Sequence, residues 1–287
     1  MIKIITDVGN LAGKKVLVRN DFNVTIDENG KIFDDFRIRA SLPTIKYLLD
    51  SRAKIILMAH LGRPAGRVVE SLRLAPIAES LSEYLNMPVG QVRDLVGEKA
   101  GSAVNELKEG EILLLENLRF YKEEELNDEE FAGKLANLAD IYANDAFGVS
   151  HRAHVSVAAI TKFLPSFAGL LLEKEIVNLS RVRDNAEHPL CAIIGGAKIS
   201  TKIKLIQSFL NKADDIILGG ALANTVLRAK GIAIGKSLVE ETTPELNRLN
   251  ITSTRLHLPV DAMLCVKADD AQTCHCGPIG LMQNNES

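Results

Sequence analysis

The chain has 287 residues, 46% hydrophobic and 25% charged, with a formal net charge of -3 and a sequence pI near 6.1. This balance fits a globular protein of about two domains and argues against a general nucleic-acid binder, whose affinity rests on many Lys and Arg contacts to phosphate. The apolar runs are strand-length, well short of the ~20 residues of a membrane helix. The start MIKIITDVGN lacks a signal-peptide core, and four cysteines (Cys191, Cys265, Cys274, Cys276) are too few and too clustered for a disulfide scaffold, so a reduced, cytoplasmic protein is expected.

In chain order, KVLVR at 15–19 reads as a buried strand, followed by a helix over 37–50 in which Pro43 marks a break or restart. KIILMAH at 54–60 is a second strand, and 75–86 a helix with Pro76 in its first turn. EILLLE at 111–116 is a strand. A helix over 128–138 opens on Asp128, Glu129 and Glu130, the sign a helix start prefers. A strand over 141–146 follows. Residues 166–184 have helical spacing at Leu171, Leu172, Ile176 and Leu179 and read as a long helix leaving the first domain. A second alternation then gives strands at 190–194 and 215–218, helices at 200–213 and 221–230, and the start of a strand at 255–260. This is the βαβ rhythm of parallel sheets covered by helices. Residues 267–287 read as irregular, which leaves the second domain with about three strands where typical sheets have roughly five or six.

Ligands of open parallel sheets sit at the carboxyl ends of the strands. Four strands of the first half each end in a polar cluster: Asn20-Asp21-Phe22-Asn23, His60-Leu61-Gly62-Arg63, Asn117-Leu118-Arg119, and Phe147 to His154 with His151 and His154 flanking Arg152. Arg37, at the start of the following helix, joins them. Guanidinium groups meet carboxylate and phosphate with paired hydrogen bonds and stay charged at working pH. Gathered in one pocket they repel one another, so the pattern points to a small, highly anionic ligand rather than to unrelated surface arginines. Neither His151 nor His154 is assigned as a base. In the second half, Gly195-Gly196-Ala197-Lys198 follows a strand and opens a helix carrying Lys202, and Gly219-Gly220-Ala221 repeats the turn. Backbone N–H groups at helix starts beside lysines make phosphate sites, so a nucleotide cleft is expected. Neither turn is a dehydrogenase glycine fingerprint. Cys274-His275-Cys276 fits no standard zinc spacing, and no metal ligands are assigned.

The stretches VLVRNDFNV, DDFRIRASLPTIKYLL, AKIILMAHLGRP, LLLENLRFYKEEE, NDAFGVSHRAH, IIGGAKISTKI and LGGALANTVL closely resemble the phosphoglycerate kinase family, in the family's order, from about Lys15 to Asp261. The resemblance implies two Rossmann-like parallel-sheet domains joined by a long helix, the second incomplete. Its parts would be a 3-phosphoglycerate-binding domain (1–165), an interdomain helix (166–185) and a partial nucleotide-binding domain (186–287). It implies reversible phosphoryl transfer between 1,3-bisphosphoglycerate and ADP, giving 3-phosphoglycerate and ATP, in glycolysis. Asp21 and Asn23 would orient the glycerate hydroxyl and carboxylate. His60, Arg63, Arg119 and Arg152 would hold the distal phosphate. Arg37 would reach the phosphoryl group in flight, with Lys198 and Lys202 stabilising the transfer. Gly196, Ala197, Lys198, Lys202, Gly219 and Gly220 would line the nucleotide, which carries Mg2+. The implied partners are these small molecules, with no nucleic acid, no membrane, and a monomeric state.

The match has departures. Asn20 stands where the family usually has an apolar strand residue, and Ala221 replaces a glycine. Residues 275–283 resemble a degraded copy of the family's WNGPxGxFE motif, with Cys276 for its asparagine and Gln283 for its glutamate, and the family's GGGDT loop is absent. The second domain therefore reads as truncated or degenerate. Two outcomes stay open: an active kinase, or a catalytically impaired phosphoglycerate-binding fragment or paralogue.

Overall fold

The computed structural model describes residues 2–27, 30–240, 246, 249–266 and 271–280. The chain divides into two compact units, Met1–Leu179 and Ser180–Ser287, with the division inside one helix. The first unit is built on six parallel strands: β1 (Lys15–Arg19), β2 (Lys54–Met58), β3 (Val89–Gln91), β4 (Ile112–Leu114), β5 (Ile141–Asn144) and β6 (Ser166–Ala168), in the order β3-β4-β2-β1-β5-β6. The helices are α1 (Phe36–Asp50), α2 (Ala75–Leu85), α3 (Glu98–Glu106), α4 (Lys122–Leu126), α5 (Glu129–Ala136) and α6 (Leu170–Asp184).

Side chains alternate across a pleated sheet, and this sheet is buried on both faces. Val16, Val18, Ile55, Leu57, Ile112 and Leu114 pack with Ile38, Ile45 and Leu48 of α1 and Ile77 and Leu81 of α2. Leu17, Ile56, Met58, Leu113 and Tyr142 pack on the other face with Val104 of α3 and Phe131 and Leu135 of α5. Strands covered on both sides need the continuous apolar runs that the sequence shows.

Several expectations are corrected. Pro43 does not break the helix: α1 runs through it without interruption. Proline removes one backbone hydrogen bond, but Thr44, Ile45 and Leu48, which follow it, are fully buried, and that packing holds the helix together. The stretch 166–184 is not one helix. Ser166–Ala168 pairs with β5 as an edge strand, and α6 starts only where the Asp145 carboxylate accepts the Leu171 and Leu172 N–H groups, at 2.9 and 3.2 Å. Gly169 permits this cap, since a Cβ there would sit 2.2 Å from Asp145 Oδ1. The helix expected over 128–138 is the shorter α5, with Asp128 outside it as its cap, its side chain accepting from Phe131 N.

Among the described residues the second unit has a sheet of three parallel strands, β7 (Cys191–Gly195), β8 (Asp215–Gly219) and β9 (Leu256–His257), with helices α7 (Ile203–Leu210) and α8 (Gly220–Ala229). Ile194, Ile216 and Leu218 pack beneath Ile203 and Ile206 of α7 and Leu222 and Val226 of α8. The opposite face carries Ile193 and Ile217, 78% and 39% exposed. The helix expected over 200–213 is shorter, and the strand expected from Arg255 is only two residues long. Within the stretch 267–287, expected to be irregular, β11 (Cys274–Pro278) forms and pairs antiparallel with β10 (Asp261–Cys265) just before it. Its register sets Cys265 opposite Cys274, and the two are disulfide-bonded. The expectation of four reduced cysteines therefore fails at this pair, while Cys191 and Cys276 are free thiols. Gln283 and the rest of 281–287 lie outside the described residues.

Asn20 is fully buried, and neither polar atom of its side chain has a hydrogen-bond partner. A buried unsatisfied polar group costs about 1–3 kcal/mol. Asn20→Val is therefore expected to stabilise the chain by about that amount. Calorimetry would show a rise of roughly 2–4 °C in the first unit's unfolding midpoint for each kcal/mol gained.

Candidate functional site

Four of the six strands of the first sheet deliver polar side chains to the same edge. After β1 the chain turns through Asp21 and Asn23. After β2 come His60, Gly62 and Arg63. After β4 a short turn, Leu118–Phe120, carries Arg119, with the Asn117 side chain accepting from Arg119 N at 3.1 Å. After β5 the loop supplies Gly148, Val149 and Arg152. With Arg37 from the first turn of α1, these residues line one cavity of about 250 Å³. All seven residues expected from the sequence to bind or act on the acid, Asp21, Asn23, Arg37, His60, Arg63, Arg119 and Arg152, lie on its wall.

The hydrogen bonds fix the loops before any ligand is present. Asn23 Oδ1 accepts from Gly62 N at 2.8 Å, and Arg119 donates to Gly62 O at 2.8 Å. Gly62 has φ +64, and a Cβ there would lie 2.8 Å from Leu72 Cδ2, so the clamp needs glycine. Asp21 accepts from Asn23 N at 3.2 Å and pairs with the Arg37 guanidinium. Gly148 packs against that carboxylate, with room for no Cβ. Arg119 is almost fully buried and bonds Glu125 at 3.3 Å. Arg152 Nε is buried without a partner. Arg152 is itself among the residues lining the cavity, and guanidinium groups pair well with anions.

Charge in the cavity is one-sided. His60, 3% exposed, has its pKa pushed down to about 2, first by burial and then by Arg19, Arg119, Arg152 and Arg37. It is neutral at every working pH and takes no part as a cation. His154 is likewise held below the ordinary histidine range, chiefly by burial, and its Nδ1 lies 3.8 Å from Glu124, away from the cavity wall. His151 is exposed and does not line the cavity.

In the second unit, β7 and β8 are neighbours with Gly195 beside Gly219. Gly196 follows β7, and its carbonyl accepts from Leu222 N at 3.0 Å. Gly220 opens α8 with φ +61. The two glycine turns expected at the nucleotide are thus adjacent. Ala197 and Lys198 are exposed in the turn. Lys202 is not one turn inside a helix, as expected, but at the cap of α7, with its Cε near the Gly196 turn. The helix starts late because Ser200 is tied by its N–H and hydroxyl to Glu240, at 3.1 and 2.6 Å. Among the described residues no three His, Cys, Asp or Glu side chains gather as a metal site, and the Cys265 and Cys274 sulfurs are committed to each other.

Sequence reading missed the layer behind the cavity: Arg19, Ser156 and Glu124, which are 1%, 0% and 1% exposed. The one local signal was an arginine ending the apolar strand KVLVR.

A parallel sheet with an arginine-lined carboxyl edge, together with adjacent strand–glycine–helix turns on a second sheet, defines an α/β protein that handles phosphorylated small molecules. A family model described as phosphoglycerate kinase matches residues 5–283. The chain is 52% identical over 269 residues to the phosphoglycerate kinase of Synechococcus elongatus, covering 91% of this chain and 67% of that protein. It is 50% identical over 270 residues to that of Dictyoglomus turgidum, covering 92% and 68%. The solved phosphoglycerate kinase of Coxiella burnetii superposes with a TM-score of 0.79 at 36% identity, over 100% of this chain and 73% of that one. The chain belongs to the phosphoglycerate kinase family, and it spans about two thirds of the length of these curated relatives.

The His60 shift has a testable consequence. Unfolded His60 titrates near 6.5 and folded His60 near 2, so between these values the unfolded chain binds the extra proton. Stability from this group is complete above pH 6.5 and falls as pH drops below it. Urea unfolding at pH 7 and pH 5 is expected to show a loss that is smaller by about 2 kcal/mol in His60→Gln than in the unaltered chain.

Proposed function

We propose that the cavity of the first unit binds 3-phosphoglycerate, and that the chain catalyses phosphoryl exchange between this acid and ATP. The observation that carries the reading is the convergence of four arginines, a neutral histidine and the Asp21–Asn23 pair on one 250 Å³ cavity. The volume suits a three-carbon acid. His60, Arg63, Arg119 and Arg152 hold its phosphate. Asp21 accepts the glycerate hydroxyl. Asn23, whose Oδ1 is used on Gly62, has its amide N–H groups left for the carboxylate. Arg37, half-exposed and paired to Asp21, is assigned to the phosphoryl group in transfer.

The nucleophile is the acid's carboxylate, already ionised at neutral pH, so no general base is needed. Its oxygen forms a bond to the γ-phosphorus of ATP as the bond to the bridging oxygen breaks, giving the acyl phosphate and ADP. Such transfer depends on positioning and on stabilising charge, which arginines and lysines supply. In the second unit, Lys198 and Lys202 are assigned to the nucleotide phosphates, with Gly196, Ala197, Gly219 and Gly220 shaping the turns beneath them. Mg2+ would arrive bound to the nucleotide phosphates, where it would offset their negative charge. A cytoplasmic, monomeric protein completes the reading.

A coupled assay with ATP and 3-phosphoglycerate tests it. Arg37→Ala is expected to lower kcat by roughly 100-fold or more, as for loss of one transition-state donor. Absence of turnover from folded, unaltered chain would remove the catalytic half of the proposal. Calorimetry tests the binding half: heat with 3-phosphoglycerate should disappear in Arg63→Ala and weaken as salt rises from 50 to 300 mM, on the order of screening between exposed charges. Affinity independent of both changes would contradict it.

A further inference from the structure

We propose that Arg19 is a positioning residue that fixes His60 as the tautomer protonated on Nε2, so that the ring meets the cavity's ligand as a neutral hydrogen-bond donor. The role in ligand binding rests on the reading of the cavity given above; the tautomer does not.

Arg19 Nη2 lies 3.0 Å from His60 Nδ1, and both side chains are buried. A guanidinium carries five N–H donors and no acceptor. Nδ1 must therefore be the acceptor, with its lone pair free of a proton. A neutral imidazole then has its proton on Nε2. A doubly protonated ring would lose this bond and set two cations together away from water.

Arg19 cannot turn away to relax the constraint. Its Nε donates to Ser156 Oγ at 2.9 Å, and its Nη1 donates to the carbonyl of Asn20. The Ser156 hydroxyl donates in turn to Glu124 Oε1 at 2.6 Å, and Ser156 N donates to Glu124 Oε2 at 2.9 Å. Tyr142 closes the group by donating to Ser156 O at 2.7 Å. The groups facing His60 are thus Arg19 from β1 and, at longer range, Arg37, Arg119 and Arg152. None of them is an acid that would favour a second proton. The low titration point of His60 agrees with this geometry.

The consequence concerns the ligand. Among arginines whose charge attracts any anion, His60 contributes direction rather than charge. Its one N–H is aimed by a relay of four buried side chains, Glu124, Ser156, Arg19 and His60.

The test uses the full chain labelled with 15N-histidine, the His60 signals being assigned by their loss in His60→Gln. The unaltered, ligand-free chain is expected to show a protonated Nε2 and a bare Nδ1, unchanged from pH 5 to pH 8. A proton on Nδ1, or a ring that titrates in that range, overturns the proposal. Arg19→Met removes the donor. It is expected to mix the two tautomers, bring His60 titration into view, and weaken 3-phosphoglycerate binding about tenfold. Arg19→Lys, which keeps a donor, is expected to restore the Nε2–H form. If folded Arg19→Met keeps the unaltered His60 signature, the proposal fails. Should that variant not fold, the milder Ser156→Ala decides, since it frees Arg19 Nε: a second His60 tautomer is expected, and a single unchanged Nε2–H form counts against Arg19. Calorimetry is read separately. The expected tautomer in a chain that gives no heat with 3-phosphoglycerate would remove the ligand assignment and leave the role of Arg19 standing.

Discussion

A guanidinium that ends an apolar strand with 1% of its surface exposed must be satisfied from within the protein. Arg19 is satisfied by Ser156, the Asn20 carbonyl and His60, and Glu124 supplies the counter-charge behind Ser156. The cavity depends on this arrangement. Removing an acid from behind a cluster of cations would raise their mutual repulsion where water cannot screen it. Glu124, 1% exposed, holds that place for Arg19 and also lies near His154. The first unit can therefore keep several arginines at one sheet edge, because Glu124, Glu125 and Asp21 offset part of their charge.

The strands set where those charges go. In a parallel sheet every strand points the same way, so β1, β2, β4 and β5 bring their following loops to one edge. The loops are then held to one another: Asn23 and Arg119 grip the two sides of Gly62, and Asp21 ties its own loop to Arg37 of α1. A site assembled from loops of different strands is rigid only if the loops bind each other, and here residues that line the cavity supply those bonds. This is also why isolated side-chain deletions are poor measures of contact energy: Asn23 or Arg119 removed from the cavity would also release Gly62.

Much of this was legible from the chain. Strand runs such as KIILM and EILLLE, and the polar residues that follow them, are local patterns, and the cavity residues fall where strand-end reasoning puts them. What was not legible depends on partners remote in sequence. Arg19 and Ser156 are 137 residues apart, and nothing near KVLVR shows that its arginine points inward. The strand β6 was hidden inside a helical pattern because the cap that starts α6 late comes from Asp145, 26 residues earlier. Pro43 reads as a breaker until the buried face of α1 is known. The β10–β11 hairpin lacks the compact turn chemistry that marks hairpins in sequence, so its register, and with it the Cys265–Cys274 bond, was invisible.

For the acid proposed as the cavity's ligand, selectivity would follow from dividing labour between charge and direction. Arginines attract phosphate and carboxylate alike, and an edge made only of arginines would hold a small dianion in several orientations. Orientation needs groups that bind one atom in one way. Asp21 accepts only, so it favours a hydroxyl over an anionic oxygen. His60, bare at Nδ1 and 3.0 Å from Arg19, is left with a single donor. Asn23, used on one side by Gly62, is left with its amide donors. An acceptor and two neutral donors set among cations distinguish the hydroxyl of a ligand from its charged ends, which charge alone cannot do. If the cavity takes the proposed acid, the buried layer behind it acts on recognition as well as stability, since Glu124, Ser156 and Arg19 set the character of His60, which lines the cavity, while none of the three is itself among the lining residues.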